Sequence, residues 1–205
     1  MSLVDELISE KWLKTPEIIE AFKKIKREDF MPDNVKHLAG LNEAIPIGQG
    51  QTISQPLVVA FMIELLQPKR GEKILDIGSG SGWTSALLAE LVGEKGRVFS
   101  LELLVELKEF GEKNVARYNF IKKGIVRFIQ KDGSKGLEKE APFDKILCSA
   151  SVQGEVPQAW KEQLKAGGII VTPAASSILY LVKKAENDFT RKEYPGFVFV
   201  PLIEI

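Results

Sequence analysis

Histidine and cysteine are the scarcest reactive residues in this 205-residue chain, which contains one of each. A single cysteine, Cys148, cannot form an intramolecular disulfide, and this fits a reducing compartment. With His37 as its one histidine and no cysteine pair, the sequence argues against a zinc site and against a histidine-based catalytic triad. We therefore expect no bound metal and a structural role for His37.

A charge excess of either sign is also missing, because 28 basic side chains are matched by 28 acidic ones. This balance does not favour binding to nucleic acid or to an anionic membrane. The first six residues carry acids where a signal peptide has a basic segment, and no apolar run approaches the ~20 residues that span a bilayer. We predict a cytoplasmic protein that has neither nucleic acid nor membrane as a partner.

The hydrophobic fraction of 44% is sufficient for the core of one domain. We predict a single domain over residues 1–205, in which N-terminal helices and a loop (1–56) precede an α/β core (57–205). Residues 3–30 are typical of two amphipathic helices broken near Thr15, a helix-capping residue type, and Pro16. Residues 40–56 are rich in Gly, Pro, Gln and Ser, and they predict an ordered loop.

From Gly71 onward, predicted strands and helices alternate along the chain. This alternation predicts a Rossmann-like, doubly wound α/β fold with a mostly parallel sheet and helices on both faces. The last two predicted strands have no helix between them, which indicates an antiparallel C-terminal edge. The predicted helices are Pro56–Leu66, Trp83–Val92, Leu104–Asn119 and Pro157–Leu164, and the predicted strands are Lys73–Ile77, Arg97–Leu101, Val126–Gln130, Phe143–Ser149, Gly168–Thr172, Ile178–Lys183 and Gly196–Ile203.

A glycine-rich turn between the first of these strands and its helix is the strongest local signal. Gly78, Gly80 and Gly82 alternate with serines after a buried strand, at the position where a bound ligand approaches the backbone too closely for a Cβ atom. No lysine follows, so the turn is not a phosphate-binding P-loop. The pattern favours a nucleoside cofactor without a triphosphate, with S-adenosylmethionine as the leading candidate. A glycine turn of another kind of α/β domain is the alternative.

Acidic residues stand at three successive strand ends, which meet at one edge of a parallel sheet. Asp76 ends the first strand. Glu102 ends the second, where an acid can accept hydrogen bonds from both hydroxyls of a ribose. Asp132 and Gly133 end the third, where Asp132 can accept from an adenine amine and Gly133 leaves room for the ring. The alternatives are a solvated helix-start acid at Glu102 and an ordinary Asp-Gly turn.

The segment 46–56 is too strongly polar, and too punctuated by Gly and Ile, for a plain linker. From the residues alone, however, Ser54 could simply cap the helix that begins at Pro56.

Together these segments resemble the protein-L-isoaspartate O-methyltransferase family over nearly the whole chain. The loop 48–56 (GQGQTISQP) is the most specific of them, whereas the glycine turn alone indicates only a class I methyltransferase. The other similar segments, in order, are Arg27–Pro32, Asn42, Leu75–Trp83, Glu102, Asp132-Gly133, Ala141–Asp144, Gln163–Gly168 and Phe199–Leu202.

The resemblance implies methyl transfer from S-adenosylmethionine to the carboxylate of L-isoaspartyl residues in damaged proteins, which would be the partners. It makes Ser54 the active-site hydroxyl, places Ile53 and Ser54 against the substrate, and places Thr52 beside the cofactor. The cofactor residues it implies are Thr52, Asp76, Gly78, Ser79, Gly80, Gly82, Glu102, Leu103, Asp132 and Gly133.

Two segments depart from the family pattern where the family lines its peptide site. They are residues 148–154, where the family usually has small residues and a proline, and residues 172–177, where it has Pro-Val-Gly and a glutamine. Two other readings therefore stay open. One is a class I methyltransferase acting on RNA or a small molecule, and the other is a non-catalytic member that binds the cofactor.

Overall fold

The computed structural model describes residues 2–186 and 188–205. Six α-helices, nine β-strands and short 3-10 turns follow one another within these residues. The helices are α1 Leu3–Ser9, α2 Pro16–Lys24, α3 Pro56–Leu66, α4 Trp83–Val92, α5 Val105–Ala116 and α6 Gln158–Gln163. The strands are β1 Ile45–Gly48, β2 Gln51–Ile53, β3 Lys73–Ile77, β4 Arg97–Glu102, β5 Val126–Gln130, β6 Phe143–Cys148, β7 Leu164–Ala174, β8 Ser177–Ala185 and β9 Asp188–Pro195.

Seven strands form the main sheet, in the order β5-β4-β3-β6-β7-β8-β9. The pairs from β5 to β7 are parallel, and β8 and β9 add an antiparallel edge. The chain leaves β3 toward β4 and β5, then returns to place β6 on the other side of β3. The predicted doubly wound fold with its antiparallel edge is confirmed. The crevice beyond the carboxyl ends of β3 and β6 is the usual ligand position in such a sheet.

Apolar residues of the strands alternate between two cores, one on each face of the sheet. Ile74 packs with α3, α4, α5 and the N-terminal helices, whereas its neighbour Leu75 packs into a second core that contains Trp160 of α6. None of the helices in the described residues combines the length and the apolar character needed to cross a bilayer.

The N-terminal helices pack onto the α/β core. Phe22 of α2 meets the Trp83 ring edge to face, with the ring centroids 5.7 Å apart. Thr15 was expected to cap α2, but its side chain makes no capping bond. Instead, Glu64 of α3 accepts hydrogen bonds from the backbone N–H groups of Lys14 and Thr15 and from the Thr15 hydroxyl. An acid from a neighbouring helix therefore binds the N-terminus of α2 and joins it to α3.

Two predicted elements were wrong. The expected loop 40–56 contains an antiparallel hairpin of β1 and β2, which pairs Ile45 with Ile53. The expected final strand Gly196–Ile203 is displaced toward the N-terminus. The strand beside β8 is β9, and the segment after it crosses the end of the sheet with a single bridge at Pro201.

Candidate active site

The glycine turn joins β3 to α4 at the centre of the crevice. The backbone N–H groups of Gly78 and Ser79 both donate to the carbonyl oxygen of Leu101 in the neighbouring β4, which fixes the turn to the sheet. Gly82 is the residue before α4 and has a φ of 84°, a conformation that L side chains rarely adopt. A Cβ atom there would also lie 2.8 Å from the carbonyl oxygen of Gly111 in α5. Helix packing, and not only room for a ligand, therefore requires glycine at this position.

A cavity lies against this turn, and its space together with the open solvent at its mouth amounts to about 790 Å³. The turn and the strand ends form one wall, the β1–β2 hairpin and the residues after it a second, and the C-terminal segment a third. The lining residues are Gln51–Ser54, Val59, Ile77–Ser81, Trp83, Thr84, Leu101–Leu104, Lys131, Gly133, Ser149, Ala150 and Val200–Ile203.

Seven of the ten residues predicted to bind a cofactor line this cavity, and three do not. Those in its wall are Thr52, Gly78, Ser79, Gly80, Glu102, Leu103 and Gly133. Asp76, Gly82 and Asp132 lie behind the wall. Ile53 and Ser54, predicted on the substrate side, line the same cavity, so the fold brings the loop and the glycine turn together.

Glu102, at the end of β4, organises the turn as well as facing the cavity. One carboxylate oxygen, Oε2, accepts from the N–H of Gly80 at 2.9 Å. The other, Oε1, accepts from the N–H groups of Leu103 at 2.9 Å and Leu104 at 3.1 Å. The carboxylate is thus held rigidly at the cavity wall by three backbone donors, with lone pairs left for the hydroxyl groups of a ligand.

Asp76 lies beneath the turn and has no exposed surface. The hydroxyl of Ser85 donates to its carboxylate at 2.6 Å and that of Thr84 at 3.2 Å, and Ser100 extends the chain of hydrogen bonds to Ser85. Burial raises the pKa of Asp76 to about 7. Its carboxyl group therefore supports the first turn of α4.

At the third strand end, the Asp132 carboxylate is held by hydrogen bonds within the protein. The Asp132 carboxylate accepts from the N–H and hydroxyl of Ser134 and, at 3.3 Å, from the N–H of Ile205. Gly133 does line the cavity, but a Cβ atom there would lie 2.4 Å from Ile77. Glycine at 133 is thus required by packing against β3, in addition to any space that it leaves for a ring.

The loop that carries Ser54 is fixed by polar contacts at its base. Asn42 accepts a hydrogen bond from the N–H of Leu57 with its side chain, and the Gln55 side chain donates to the Asn42 carbonyl. Asn42, and not Ser54, thus accepts a hydrogen bond from the N-terminus of α3. The Ser54 hydroxyl is therefore available to the cavity. The simple helix-cap interpretation of Ser54 is not what the structure has, since its side chain makes no such bond.

Polar atoms buried in the cavity wall indicate that it suits a polar ligand. The hydroxyl of Ser79 and the indole N–H of Trp83 are buried and have no hydrogen-bond partner among the described residues. Unpaired buried polar groups are costly in a folded protein unless a ligand or water satisfies them. A nucleoside with hydroxyl and amine groups fits such a wall. No cluster of potential metal ligands occurs in residues 2–186 and 188–205.

Sequence reasoning did not assign the C-terminal segment to the site. Val200–Ile203 form one wall of the cavity, held by hydrogen bonds from the Ser151 N–H to the Val200 carbonyl and from the Leu202 N–H to the Ser151 carbonyl. The similarity of Phe199–Leu202 to a family segment was the available signal. Cys148 is fully buried at the end of β6, where burial raises the pKa of its thiol to about 12, so it is not a nucleophile near neutral pH.

Known proteins with similar sequences share one description. A family model for protein-L-isoaspartate(D-aspartate) O-methyltransferase matches residues 1–205. The protein-L-isoaspartate O-methyltransferase of Ignicoccus hospitalis is 39% identical over 206 residues, covering 98% of this chain and 96% of its own length. The enzyme of that name from Methanopyrus kandleri is 41% identical over 208 residues, covering 98% and 89%.

Solved structures give the same fold. A protein-L-isoaspartate O-methyltransferase structure from Plasmodium falciparum, in complex with S-adenosyl-L-homocysteine, superposes with a TM-score of 0.87 and covers 98% of this chain and 96% of its own. Because its sequence is only 21% identical, this similarity shows the fold and not the function.

Proposed function

This chain belongs to the protein-L-isoaspartate(D-aspartate) O-methyltransferase family, and we propose that it transfers a methyl group from S-adenosylmethionine to the carboxylate of L-isoaspartyl residues in damaged proteins. The product is a methyl ester that begins repair of the residue. The observation that carries the proposal is the shared cavity, in which the glycine turn and Glu102 face the loop Thr52–Ser54.

Glu102 and the turn are the proposed cofactor side of the cavity. Glu102 is placed to accept from the ribose hydroxyls, and Gly78–Gly80 together with Leu103 leave backbone surface against which the nucleoside can lie. Gly133 borders the proposed adenine position. Asp76 and Asp132 support the cavity wall from behind through hydrogen bonds at the ends of β3 and β5, and Gly82 does so where the turn packs on α5. When bound, S-adenosylmethionine supplies a methyl group on a positively charged sulfur.

Ser54 and Ile53 are the proposed acceptor side. A side-chain carboxylate has an intrinsic pKa of about 4, so the acceptor is already ionised at neutral pH and no general base is required. The Ser54 hydroxyl would donate a hydrogen bond to one carboxylate oxygen and so orient the other toward the methyl group. Ile53 and Leu202, both buried, exclude water from a step in which opposite charges neutralise each other.

The test is methyl transfer from labelled S-adenosylmethionine to a short isoaspartyl peptide, followed by alkaline treatment. The proposal predicts label on the peptide that alkali releases, because a carboxyl methyl ester is hydrolysed by base whereas a methylated amine is not. RNA offered in the same assay distinguishes another acceptor class. Cofactor binding by calorimetry without label on any acceptor would indicate a non-catalytic member and would contradict the proposal.

A further inference from the structure

Arg27 is a buried cation outside the cavity, in the 3-10 turn Arg27–Phe30, with only 6% of its surface exposed. Its Nη1 donates to the carbonyl oxygens of Leu41 at 2.9 Å and Ala39 at 3.3 Å. Its Nη2 donates to those of Glu43 at 2.6 Å and Ser54 at 3.1 Å. None of the ion pairs among the described residues includes Arg27. Its charge is therefore balanced by carbonyl dipoles.

These four acceptors lie on both sides of the β1–β2 hairpin. Ala39, Leu41 and Glu43 precede the hairpin, and Ser54 follows it directly. A guanidinium group is planar and presents its donors in a fixed fork. The fork therefore joins the entry and the exit of the hairpin at one point and fixes the main chain of Ser54 there.

The same guanidinium group lies over Trp83, with its central carbon 5.5 Å from the ring centroid. Trp83 is the first residue of α4, directly after the glycine turn, and it lines the cavity. Arg27 thus contacts the main chain of the proposed acceptor side and a side chain of the proposed cofactor side. Through its hydrogen bonds on one side and this cation–π contact on the other, one planar group joins the two sides of the cavity.

We propose that Arg27 is a positioning residue for methyl transfer, which acts by holding Ser54 at a fixed distance from the cofactor side of the cavity. This inference rests on the proposed function of Ser54. A lysine at 27 would retain the charge but not the fork, since an ammonium group has three donors on a flexible stem and cannot meet four carbonyls in one plane. A displacement of about 1 Å in a catalytic group lowers a rate by up to about 100-fold.

A double-mutant cycle between Arg27→Lys and Ser54→Ala tests this inference. The rate of methyl transfer is measured in a single turnover at saturating cofactor and isoaspartyl peptide, and calorimetry gives the cofactor affinity and the active fraction. We expect Arg27→Lys to lower the rate at least about tenfold with cofactor affinity unchanged within about threefold. We expect it to lower the rate no further in the Ser54→Ala background, because both changes then remove the same contribution. Arg27→Gln is taken through the same cycle in case the lysine variant does not fold.

Arg117→Lys is the matched control, because exposed Arg117 donates to the carbonyl oxygen of Asp29 in the same 3-10 turn without reaching the hairpin. It should leave rate and affinity unchanged. Additive losses in the double mutant, or equal losses of rate and cofactor affinity, would show a general structural role and overturn the inference while Ser54 keeps its role. A full rate in the Ser54→Ala single mutant would overturn both the role of Ser54 and the inference built on it.

Discussion

Glu102 combines two tasks in one side chain, since its carboxylate accepts three backbone N–H groups and also lines the cavity. Replacing it with Gln keeps the shape but exchanges one acceptor oxygen for a donor that faces N–H groups. Hydrogen bonds to a charged group contribute about 1.5–3 kcal/mol. We predict that Glu102→Gln weakens cofactor binding by about 10- to 100-fold. Calorimetry with S-adenosylhomocysteine measures the change. The control is Glu106→Gln, at an exposed position, which should bind like the wild type. Equal affinities in the wild type and both variants would rule out a role of Glu102 in cofactor binding.

Asp76 makes the stability of the protein depend on pH. Its folded-state pKa of about 7 lies above its ordinary value of 3.8, so the fold favours the protonated form. This contribution is fully present below the ordinary value and is lost as the pH rises through about 7. We predict that the melting temperature of Asp76→Asn rises relative to that of the wild type between pH 5 and pH 8. Exposed Asp188→Asn should show no such trend; a constant difference between Asp76→Asn and the wild type would contradict the assignment.

Individual site residues could be predicted from the sequence where they belong to a recognisable local motif. Glu102 and Ser54 belong to recognisable segments, and both line the cavity. Arg27 could not be predicted in its role, because its acceptors come from residues 12 to 27 positions away and are backbone carbonyls, which have no signature in sequence. The hydrogen bonds of Asp76 to Thr84 and Ser85 could not be predicted for a related reason, since an acid at a strand end has the same local sequence whether it faces a ligand or a helix.

Among the secondary-structure elements, helix α5 packs so closely on the glycine turn that neither has room for a larger residue at the contact. A Cβ atom at Gly111 would lie 2.6 Å from the carbonyl oxygen of Gly80. Glycine to alanine inside a helix ordinarily gains about 1 kcal/mol of stability. We predict that Gly111→Ala instead loses about 1–3 kcal/mol and weakens cofactor binding, because the turn must move to relieve the overlap. Chemical denaturation measures the free energy of unfolding.

Gly40→Ala is the control for this substitution, because no atom lies within 4 Å of a Cβ at that position. It should leave cofactor affinity unchanged and cost no stability, with a gain of up to about 1 kcal/mol because alanine restricts the unfolded chain. A gain of stability in Gly111→Ala would mean that the turn and helix have more freedom than this packing allows.

The elements that sequence reasoning misplaced have little internal pattern. Strands β1 and β2 contain four and three residues, and the glycines and proline around them are typical of loops. Strand β9 is mostly exposed at the sheet edge, so charged residues replace the usual apolar alternation. The apolar segment after it resembles a strand in composition, but Val198 and Ile203 in it are exposed, and Val200–Ile203 line the cavity and not a sheet face.

At the scale of the molecule, the N-terminal helices and the α/β core share one hydrophobic core. Leu7 and Ile18 belong to the same cluster of buried residues as Trp83 and Leu87. Arg27 and Glu64 add polar links between the two parts of the chain. We propose that the chain is one domain and unfolds in a single cooperative step.

Calorimetry tests this cooperativity. We predict one thermal transition whose calorimetric and van't Hoff enthalpies agree, with a ratio of about 1. S-adenosylhomocysteine should shift the whole transition upward, because a ligand that binds the folded state alone stabilises every part of a cooperative unit. Two transitions, of which the ligand shifts one, would show that the N-terminal helices unfold independently.

Alignment of an isoaspartyl carboxylate in this cavity can be tested by comparing two peptide substrates. The values of kcat/KM for methyl transfer are measured for an isoaspartyl peptide and for the aspartyl peptide of identical sequence, which differ only in which carboxyl group lies in the main chain. We predict that kcat/KM for the isoaspartyl peptide exceeds that for the aspartyl peptide by about a thousandfold or more, since misplacing the acceptor removes the alignment that the site supplies. Equal values for the two peptides, or transfer to neither, would contradict it.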